Sequence, residues 1–257
     1  MLIVLSPAKS LDLSPAKLKL HTQAEFLNQS SQLIDVLRPL SPPQLSQLMD
    51  ISDDLAQLNA NRYASWQAEM DLHSAKQAIL MFDGDVYDGL QARAMTTPDL
   101  KFAQEHLRIL SGLYGLLRPL DLMLAYRLEM GTRLANPRGR DLYAFWGEQI
   151  TQALNQQLQA SQSKYLINLA SEEYFKAVKP ALLTAPVITP VFEDWKNGKY
   201  KIISFFAKRA RGSMARYVIA HRVKTLSKLR GFAEDGYAFA PEVSSGTKWV
   251  FRRRLEE

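Results

Sequence analysis

The chain has 257 residues, of which 47% are hydrophobic, so it is long enough to bury a sizeable core without covalent cross-links. It contains no cysteine, which excludes disulfides, thiolate catalysis and metal sites built on sulfur ligands. Its formal net charge of +6 favours polyanionic partners such as nucleic acid, although charge alone does not choose among them.

The first predicted element is a strand at residues 2–5, with the sequence LIVL. A continuous apolar run of this length is typical of a strand that is covered on both faces in the middle of a mixed sheet. The run is too short to span a bilayer and lacks the basic leader of a signal sequence. We therefore expect a cytoplasmic protein with no membrane partner.

Ser6 and Lys9 follow this strand and fit the pattern S-x-x-K, in which a lysine one helical turn after a serine accepts the hydroxyl proton. That chemistry needs a helix that begins at Ser6, whereas residues 10–15 are typical of a loop, and no S-D-N or K-T-G partner motif occurs. We favour a strand end at which Ser6 and Lys9 line a cleft and Lys9 attracts an anion.

Helical periodicity follows at residues 22–38, 44–49 and 53–66, before a strand predicted at residues 77–82. After this strand, carboxylates at alternating positions could share Mg²⁺ or Mn²⁺. We favour a glycine-containing turn whose carboxylates accept hydrogen bonds from the backbone, because no second carboxylate motif completes a metal cage. The carboxylates are Asp83, Asp85 and Asp88.

The histidines are scattered, without the HxH or HxxxH spacing of an iron site. They are His21, His73, His106 and His221. We therefore expect no metal and no other cofactor.

The segment from about residue 98 to residue 130 predicts a helix-hairpin-helix-like element. Thr97-Pro98-Asp99 is a helix start, and apolar residues at helical spacing continue to Leu110. Gly112 to Gly115 then form a tight bend before the segment after Arg118-Pro119. Glycines there would let the backbone approach a phosphate, and amides at the start of the second helix would donate to it.

Three cations flank this bend, namely Arg108, Arg118 and Arg127. The alternative for the same residues is an ordinary helical corner that is packed by apolar side chains. Those side chains are Leu113, Tyr114 and Leu116.

The C-terminal half predicts a hairpin at residues 187–206, where Asn197-Gly198 separates two runs rich in β-branched and aromatic residues. The other elements predicted in this half are a helix at 148–159, a strand at 165–169, a helix capped by Ser171, a basic helix at 207–224 and a strand at 249–251. The irregular order of helices and strands favours an α+β fold, a compact single domain over residues 1–257 with a mixed sheet surrounded by helices.

The densest run of cations lies at residues 199–224. Lys208, Arg209 and Arg211 bunch at the start of the predicted basic helix, where positive charge opposes the helix dipole, a local cost that an anionic partner would remove. A solvated basic face is the alternative. Taken with the glycine bend and the net charge, the run favours binding of a polyanion.

Several long motifs occur in one order along the chain. They are LSPAK at 5–9, GDVY at 84–87, LSGLYGLLRPLDLM at 110–123, YRLEMG at 126–131, NLAS at 168–171 and KIISFFAKRARG at 201–212. Over essentially its full length, the sequence resembles the YaaA family of bacterial peroxide-stress resistance proteins. The resemblance implies a cytoplasmic protein that limits oxidative damage to DNA and protein by keeping unincorporated iron low. It also implies a compact α+β fold with a basic cleft, a helix-hairpin-helix-like element and binding to duplex DNA.

Two features depart from the family pattern. The usual hairpin has glycines separated by one residue, whereas here Leu113 and Tyr114 intervene and Pro119 interrupts the start of the second helix. Asp83 falls where family members can carry Lys, which weakens the metal interpretation further.

The leading hypothesis is a non-enzymatic protein that grips the phosphate backbone of double-stranded DNA with little sequence preference, since the motif supplies amides and cations rather than base-reading side chains. The residues expected at the DNA are Lys9, Arg108, Gly112, Leu113, Tyr114, Gly115, Arg118, Arg127, Lys208, Arg209 and Arg211. The alternative is an enzyme acting on a nucleotide, nucleobase or similar anion in the same cleft, with Ser6, Lys9 and Asp85 as catalytic groups. No protein partner is inferred.

Overall fold

The computed structural model of the chain describes residues 1–255. Its strands are β1 (Leu2–Leu5), β2 (Ser10–Leu11), β3 (Thr22–Gln23), β4 (Lys76–Gln77), β5 (Phe82–Asp83), β6 (Leu107–Ser111), β7 (Gly115–Leu117), β8 (Asp121–Met123), β9 (Leu166–Leu169), β10 (Val187–Lys196), β11 (Lys199–Lys201), β12 (Ala238–Phe239) and β13 (Lys248–Arg253). Its α-helices are α1 (Leu27–Leu37), α2 (Pro42–Met49), α3 (Asp53–Ser65), α4 (Ala78–Met81), α5 (Asp85–Leu90), α6 (Thr97–His106), α7 (Leu142–Trp146), α8 (Gln149–Ala160), α9 (Glu172–Phe175), α10 (Ser204–Ala220) and α11 (Leu226–Arg230).

The first strand, β1, lies in the middle of the central sheet. The strand order is β12-β13-β10-β9-β1-β6-β7, with β11 paired to β10. β1 pairs in parallel with β9 on one side and with β6 on the other, and all four of its side chains are fully buried. The prediction of a strand at residues 2–5 that is covered on both faces is confirmed.

Most neighbouring strands of this sheet run parallel. The parallel direction continues from β9 to β10 and from β10 to β13, while β7, β11 and β12 pair antiparallel. Helices α6, α8 and α10 pack against strands of the sheet. The predicted mixed sheet surrounded by helices is confirmed, but the class is mixed α/β rather than α+β because the central strands are parallel.

The hairpin at Asn197-Gly198 forms as predicted. It joins β10 to β11, with Lys196 opposite Lys199, and both turn residues have positive φ, 56° for Asn197 and 78° for Gly198. The predicted strand after the turn is shorter than expected, because β11 ends at Lys201 and α10 begins at Ser204. The Asn-Gly pair alone was therefore sufficient to predict this turn.

The helix-hairpin-helix-like element at about residues 98–130 is a wrong prediction. Its first helix, α6, exists with a Thr96 cap, but it ends at His106 and the chain continues as β6. β6 pairs with β7 around residues 112–114, so the glycine bend is the connection of a β-hairpin. Leu107 and Leu110 fit helical spacing, but pairing with the buried β1 offers residues 107–110 full burial as a strand, and this tertiary contact decides.

The strand predicted at residues 77–82 is interrupted by the helical turn α4, which leaves only the short strands β4 and β5 at its ends. Within residues 1–255, no helix is long and apolar enough to cross a membrane.

Candidate functional site

A cavity of about 470 Å³ opens at the carboxyl ends of β1 and β9, the two strands in the middle of the sheet. Its lining includes Ser6, Lys9, Asp83, Asp85, Glu129, Ser171, Glu173, Tyr174, Lys208 and Arg211. We call it the strand-end cavity. Open sheets bind ligands preferentially at such an edge, because polar groups from neighbouring strands converge there without interrupting the sheet.

Ser6 ties the ends of the two strands together. Its Oγ accepts a hydrogen bond from the backbone N–H of Ser171 at 2.8 Å and donates to the Ser171 Oγ at 3.2 Å. Its carbonyl oxygen accepts from the Tyr87 hydroxyl at 3.0 Å. These contacts confirm the favoured prediction that Ser6 is the polar end of a buried strand.

Lys9 lies on the same cavity but does not contact Ser6. Its Nζ is 2.9 Å from Glu129 Oε2, and residues 6–9 are not helical. The S-x-x-K nucleophile is therefore not formed in this structure, because the lysine needs one helical turn to reach the serine. The enzymatic hypothesis for Ser6, Lys9 and Asp85 stays a prediction, and the structure places all three on one cavity.

A close contact between α5 and α10 forms another wall of the strand-end cavity. A Cβ on Gly212 would lie 1.7 Å from the Val86 carbonyl oxygen, so only glycine lets the two backbones approach this closely. The contact places Asp85 of α5 opposite Lys208 of α10, with 4.0 Å between their charged atoms. Arg211, on the same helix, also lines the cavity.

Arg211 differs from the other two cations of the cavity. Burial lowers the pKa of its guanidinium, and within residues 1–255 the side chain has no hydrogen-bond or ion-pair partner. Lys9 and Lys208 each face a carboxylate. Burying part of a guanidinium without an anion costs free energy. In the free protein, the positive charge of Arg211 is therefore uncompensated.

The cavity has mixed charge. Its three cations share the lining with the four carboxylates of Asp83, Asp85, Glu129 and Glu173. The basic cleft expected from the resemblance is therefore corrected to a cavity that offers both anionic and cationic groups. Such a lining suits a small molecule with groups of both kinds better than a uniform run of phosphates.

The glycine bend at residues 112–115 is buried, so DNA cannot contact it. Leu113 and Tyr114 are fully buried, and the Gly112 carbonyl oxygen accepts a hydrogen bond from Trp146 Nε1 at 3.0 Å. Gly115 packs on the same indole ring. The expectation that Gly112, Leu113, Tyr114 and Gly115 donate amides to a phosphate is corrected, because the surrounding core excludes a phosphate from all four.

The arginines around this bend have structural partners. Arg108 is buried, its guanidinium donates to the carbonyls of Gln104 and Leu107, and burial lowers its pKa to about 10. The prediction that Arg108 contacts DNA is therefore corrected, because Arg108 is a core residue that DNA cannot reach. Arg118 contacts the carboxylates of Asp121 and Glu25.

Arg127 shares Glu129 with Lys9, at a distance of 3.3 Å from Arg127 Nη2 to Glu129 Oε1. Contacts of Arg118, Arg127 and Lys9 with DNA stay predictions, and each would have to compete with the carboxylates already in place.

Four cations without ion-pair partners within residues 1–255 lie on the β10–β11 hairpin and on α10, the helix that follows it. Lys196 and Lys199 are exposed at the turn, Lys201 is partly exposed at the end of β11, and Arg209 is exposed on α10. None of the ion pairs within residues 1–255 involves these four side chains. We call them the basic hairpin surface.

Aromatic rings accompany the basic hairpin surface. The rings of Trp195 and Tyr200 pack edge to face with centroids 5.0 Å apart. The guanidinium of Arg254 lies 4.8 Å from the Trp195 ring, and that of Arg252 lies 4.5 Å from the Tyr200 ring. Sequence reasoning found Lys199, Lys201 and Arg209 but missed Lys196, although its place beside the Asn-Gly turn was a usable signal.

Sequence reasoning also missed Glu129, Ser171, Glu173 and Tyr174 as members of a site. A signal existed for Ser171, because Ser6 and Ser171 each follow an apolar run that predicts a buried strand. Glu129 comes from a loop between β8 and α7, and nothing local indicates which strand end that loop meets.

No group of three or more histidine, aspartate or glutamate side chains in the described part of the chain is arranged to hold a metal ion. Asp83 and Asp85 line the strand-end cavity, whereas Asp88 lines a neighbouring one. His106 is buried and its Nδ1 lies 3.1 Å from the Met1 carbonyl oxygen.

Comparison with known proteins gives full-length matches. A family model described as peroxide stress protein YaaA matches residues 1–243. The UPF0246 protein of Ralstonia pickettii is 62% identical over 256 residues, which cover 99% of this chain and 100% of that protein. The UPF0246 protein of Ralstonia nicotianae is 62% identical over 255 residues, 99% of each chain. The corresponding protein of Paraburkholderia phytofirmans is 60% identical over 260 residues, 100% of each chain.

Proposed function

Because the chain belongs to the family of the peroxide stress protein YaaA, we propose that it acts as a cytoplasmic DNA-binding protein in the bacterial response to hydrogen peroxide. It binds double-stranded DNA through the phosphate backbone with little sequence preference. It also helps to limit iron-dependent oxidative damage by keeping free intracellular iron low.

The observation that carries the proposal is the basic hairpin surface. Its four cations have no carboxylate partners within residues 1–255, so phosphates can approach them without first breaking an ion pair. Cations spread over a strand hairpin and the adjoining helix fit a row of phosphates, which binds with release of counterions. The proposal includes Arg209 among the residues at the DNA and leaves out the glycine bend, and a contact of Lys208 with DNA would compete with its pairing to Asp85.

The neighbouring aromatic pair refines the proposal. Trp195 is exposed beside Lys196, and Tyr200 is partly exposed beside Lys199. Bases stack on such rings when a strand is single or frayed. Duplex ends, junctions and single strands are therefore useful competitors, and an intact duplex should engage mainly the cations.

The proposal is tested by a salt titration of duplex binding, measured by fluorescence anisotropy with a labelled blunt duplex. We expect the logarithm of affinity to fall steeply with the logarithm of salt concentration. In the double variant Lys196→Gln/Lys199→Gln, the slope should become shallower by about 2, because each lost phosphate contact removes about 0.9.

Lys164→Gln is the matched control, since Lys164 is exposed just before β9. The start of β9 lies beside the start of β10, whereas the hairpin follows the end of β10. It should leave both the affinity and the slope unchanged. A salt-independent affinity, or a double variant that binds duplex DNA as the unaltered protein does, would rule out the basic hairpin surface as the DNA site.

A further inference from the structure

None of the four cations of the basic hairpin surface lines the strand-end cavity, and the cavity has a different chemistry. It lies where the central strands end, and its volume of about 470 Å³ suits a small molecule and excludes a duplex. Ser6 and Ser171 give it hydroxyl groups, and Tyr174 gives it a phenol whose pKa is raised by burial. The proposed DNA-binding function makes no use of these groups.

The strongest indication of a ligand is Arg211. The side chain lines the cavity and is partly buried, yet it has no acidic or carbonyl partner within residues 1–255. Two buried arginines have partners instead: Arg108 donates to two backbone carbonyls, and Arg253 pairs with Asp194. A guanidinium in this situation is stabilised by a bound anion, and its planar fork matches the oxygens of a phosphate or carboxylate group.

The position of Arg211 is fixed before any ligand arrives. Gly212 follows it in α10 and touches the Val86 carbonyl of α5, and Gly89 of α5 touches α10 in return. A helix held at backbone contact cannot rotate without breaking this packing, so the Cα–Cβ bond of Arg211 keeps its direction towards the cavity. The backbone is therefore preorganised, and binding has to order only the arginine side chain.

The remaining lining determines the other end of the ligand. Glu173 supplies carboxylate oxygens and is itself held by the Gly131 backbone N–H at 2.9 Å, whereas both oxygens of Glu129 are already paired with Lys9 and Arg127. Glu173 has no cation partner within residues 1–255, so it would repel a second anionic group and would bind hydroxyl, amino or amide donors. The ligand therefore has one anionic end and one end rich in donors.

We infer that the strand-end cavity binds a small molecule that carries a single phosphate or carboxylate group at Arg211 and hydrogen-bond donors facing Glu173. A nucleoside monophosphate has this chemistry and a suitable size, and an amino acid with a free carboxylate has the carboxylate version of it. The cavity is a second anion site of the protein, independent of the DNA surface.

The test is isothermal titration calorimetry with adenosine 5′-monophosphate and with glutamine, the phosphate and carboxylate probes. Adenosine without the phosphate and inorganic phosphate without the nucleoside are the matched controls. We expect one of the two probes to bind with 1:1 stoichiometry, and Arg211→Gln to weaken it about tenfold or more, because a charge-assisted bidentate contact is lost. Arg211→Lys should retain part of the affinity, since the charge stays and the fork is lost.

Arg140→Gln is the control substitution, because the Arg140 side chain is 94% exposed and lines none of the cavities described. It should bind the probe as the unaltered protein does. The absence of saturable binding of both probes at millimolar concentration would overturn the inference, as would equal binding by Arg211→Gln.

Thermal melting without ligand provides a second readout that does not depend on the choice of probe. If Arg211 awaits an anion, Arg211→Gln removes an uncompensated charge and should melt at the same temperature as the unaltered protein or higher. A melting temperature that falls by several degrees would show that Arg211 is a structural residue, and would contradict the inference.

The two proposals can fail separately. Arg211 lines the cavity, so it no longer belongs to the residues expected at the DNA, and Arg211→Gln should leave duplex affinity unchanged. Lys196→Gln/Lys199→Gln should leave binding of the small probe unchanged. If a duplex oligonucleotide competes with the small probe for the protein at a stoichiometric ratio, the two sites are one, and the separate cavity is excluded.

Discussion

Two turns of this molecule both contain glycine at a positive φ and have opposite surroundings. The turn at residues 112–115 joins β6 to β7 inside the core, and the turn at Asn197-Gly198 joins β10 to β11 in solvent. In both, a glycine adopts a positive φ, which other residues rarely adopt. Whether the turn meets water depends on the strands that it joins, since β6 pairs with the buried β1 whereas β11 is an edge strand paired only with β10.

The largest effect that tests this difference is expected from Gly115→Ala. Gly115 has a φ of +67°, and a Cβ there would lie 2.6 Å from the Trp146 ring. The methyl group must displace a buried indole while the backbone is strained, so we expect a loss of about 3 kcal/mol or more in the free energy of unfolding. Urea denaturation followed by tryptophan fluorescence measures it.

Gly198→Ala is the matched substitution in the exposed turn. Its φ is also positive, at +78°, but no atom lies within 4 Å of the added Cβ. Only the backbone strain remains, which amounts to about 1 kcal/mol. Equal losses at the two glycines would show that backbone conformation, rather than the surroundings, separates the two turns.

Trp146→Phe should have the next largest effect on the buried turn. The indole N–H donates to the Gly112 carbonyl at 3.0 Å, and phenylalanine leaves this buried oxygen without its donor. We expect a loss of about 2 kcal/mol in the free energy of unfolding, from the unsatisfied carbonyl and the missing ring volume. Differential scanning calorimetry of the two proteins measures the difference.

The control is Trp195→Phe, because Trp195 is exposed beside the other turn and its N–H has no acceptor within residues 1–255. Its stability should stay within about 0.5 kcal/mol of the unaltered protein. A larger loss at Trp195 than at Trp146 would contradict the assignment of the core to residues 112–115.

The same comparison explains what sequence could predict. The Asn-Gly turn, the Thr97-Pro98 helix start and the buried strand at residues 2–5 depend on neighbouring residues alone, and each forms where predicted. Residues 107–110 fit a helix and a strand equally well. Only β1, more than 100 positions away in the chain, decides between them through its register, in which Ile3 lies opposite Leu107.

The candidate site follows the same division. Ser6, Lys9 and Asp85 were predicted because each lies next to a locally recognisable strand end or turn, and they do share one cavity. Glu129 could not be predicted there, because a loop residue meets the end of β1 only after the sheet has assembled. The balance of charge was missed for the same reason, since the distant carboxylates that offset the predicted cations come from other segments.

The smallest effect is expected from Asp99→Asn, which distinguishes the hydrogen bonds of a helix start from packing in the core. Asp99 lies in the segment that leads to the buried turn, yet its contacts are those of a helix start: its carboxylate accepts from the Thr96 backbone N–H at 3.0 Å and from Arg222 at 2.8 Å. Hydrogen bonds from the Thr96 hydroxyl, and then from Arg222, hold the pKa of Asp99 below its usual value of 3.8. Loss of the charge should cost only about 0.5 kcal/mol at neutral pH.

The pH dependence of this loss distinguishes the charge from the packing. A carboxyl group with a lowered pKa stabilises the fold fully above its unfolded pKa, and this stabilisation disappears as pH falls through the folded pKa. Urea unfolding midpoints of Asp99→Asn and the unaltered protein should therefore differ by a constant amount from pH 7 to about pH 5 and should converge towards about pH 2. A difference that persists undiminished in acid would mean that Asp99 acts through packing, as Gly115 does. It would contradict the conclusion that local contacts determine this helix start.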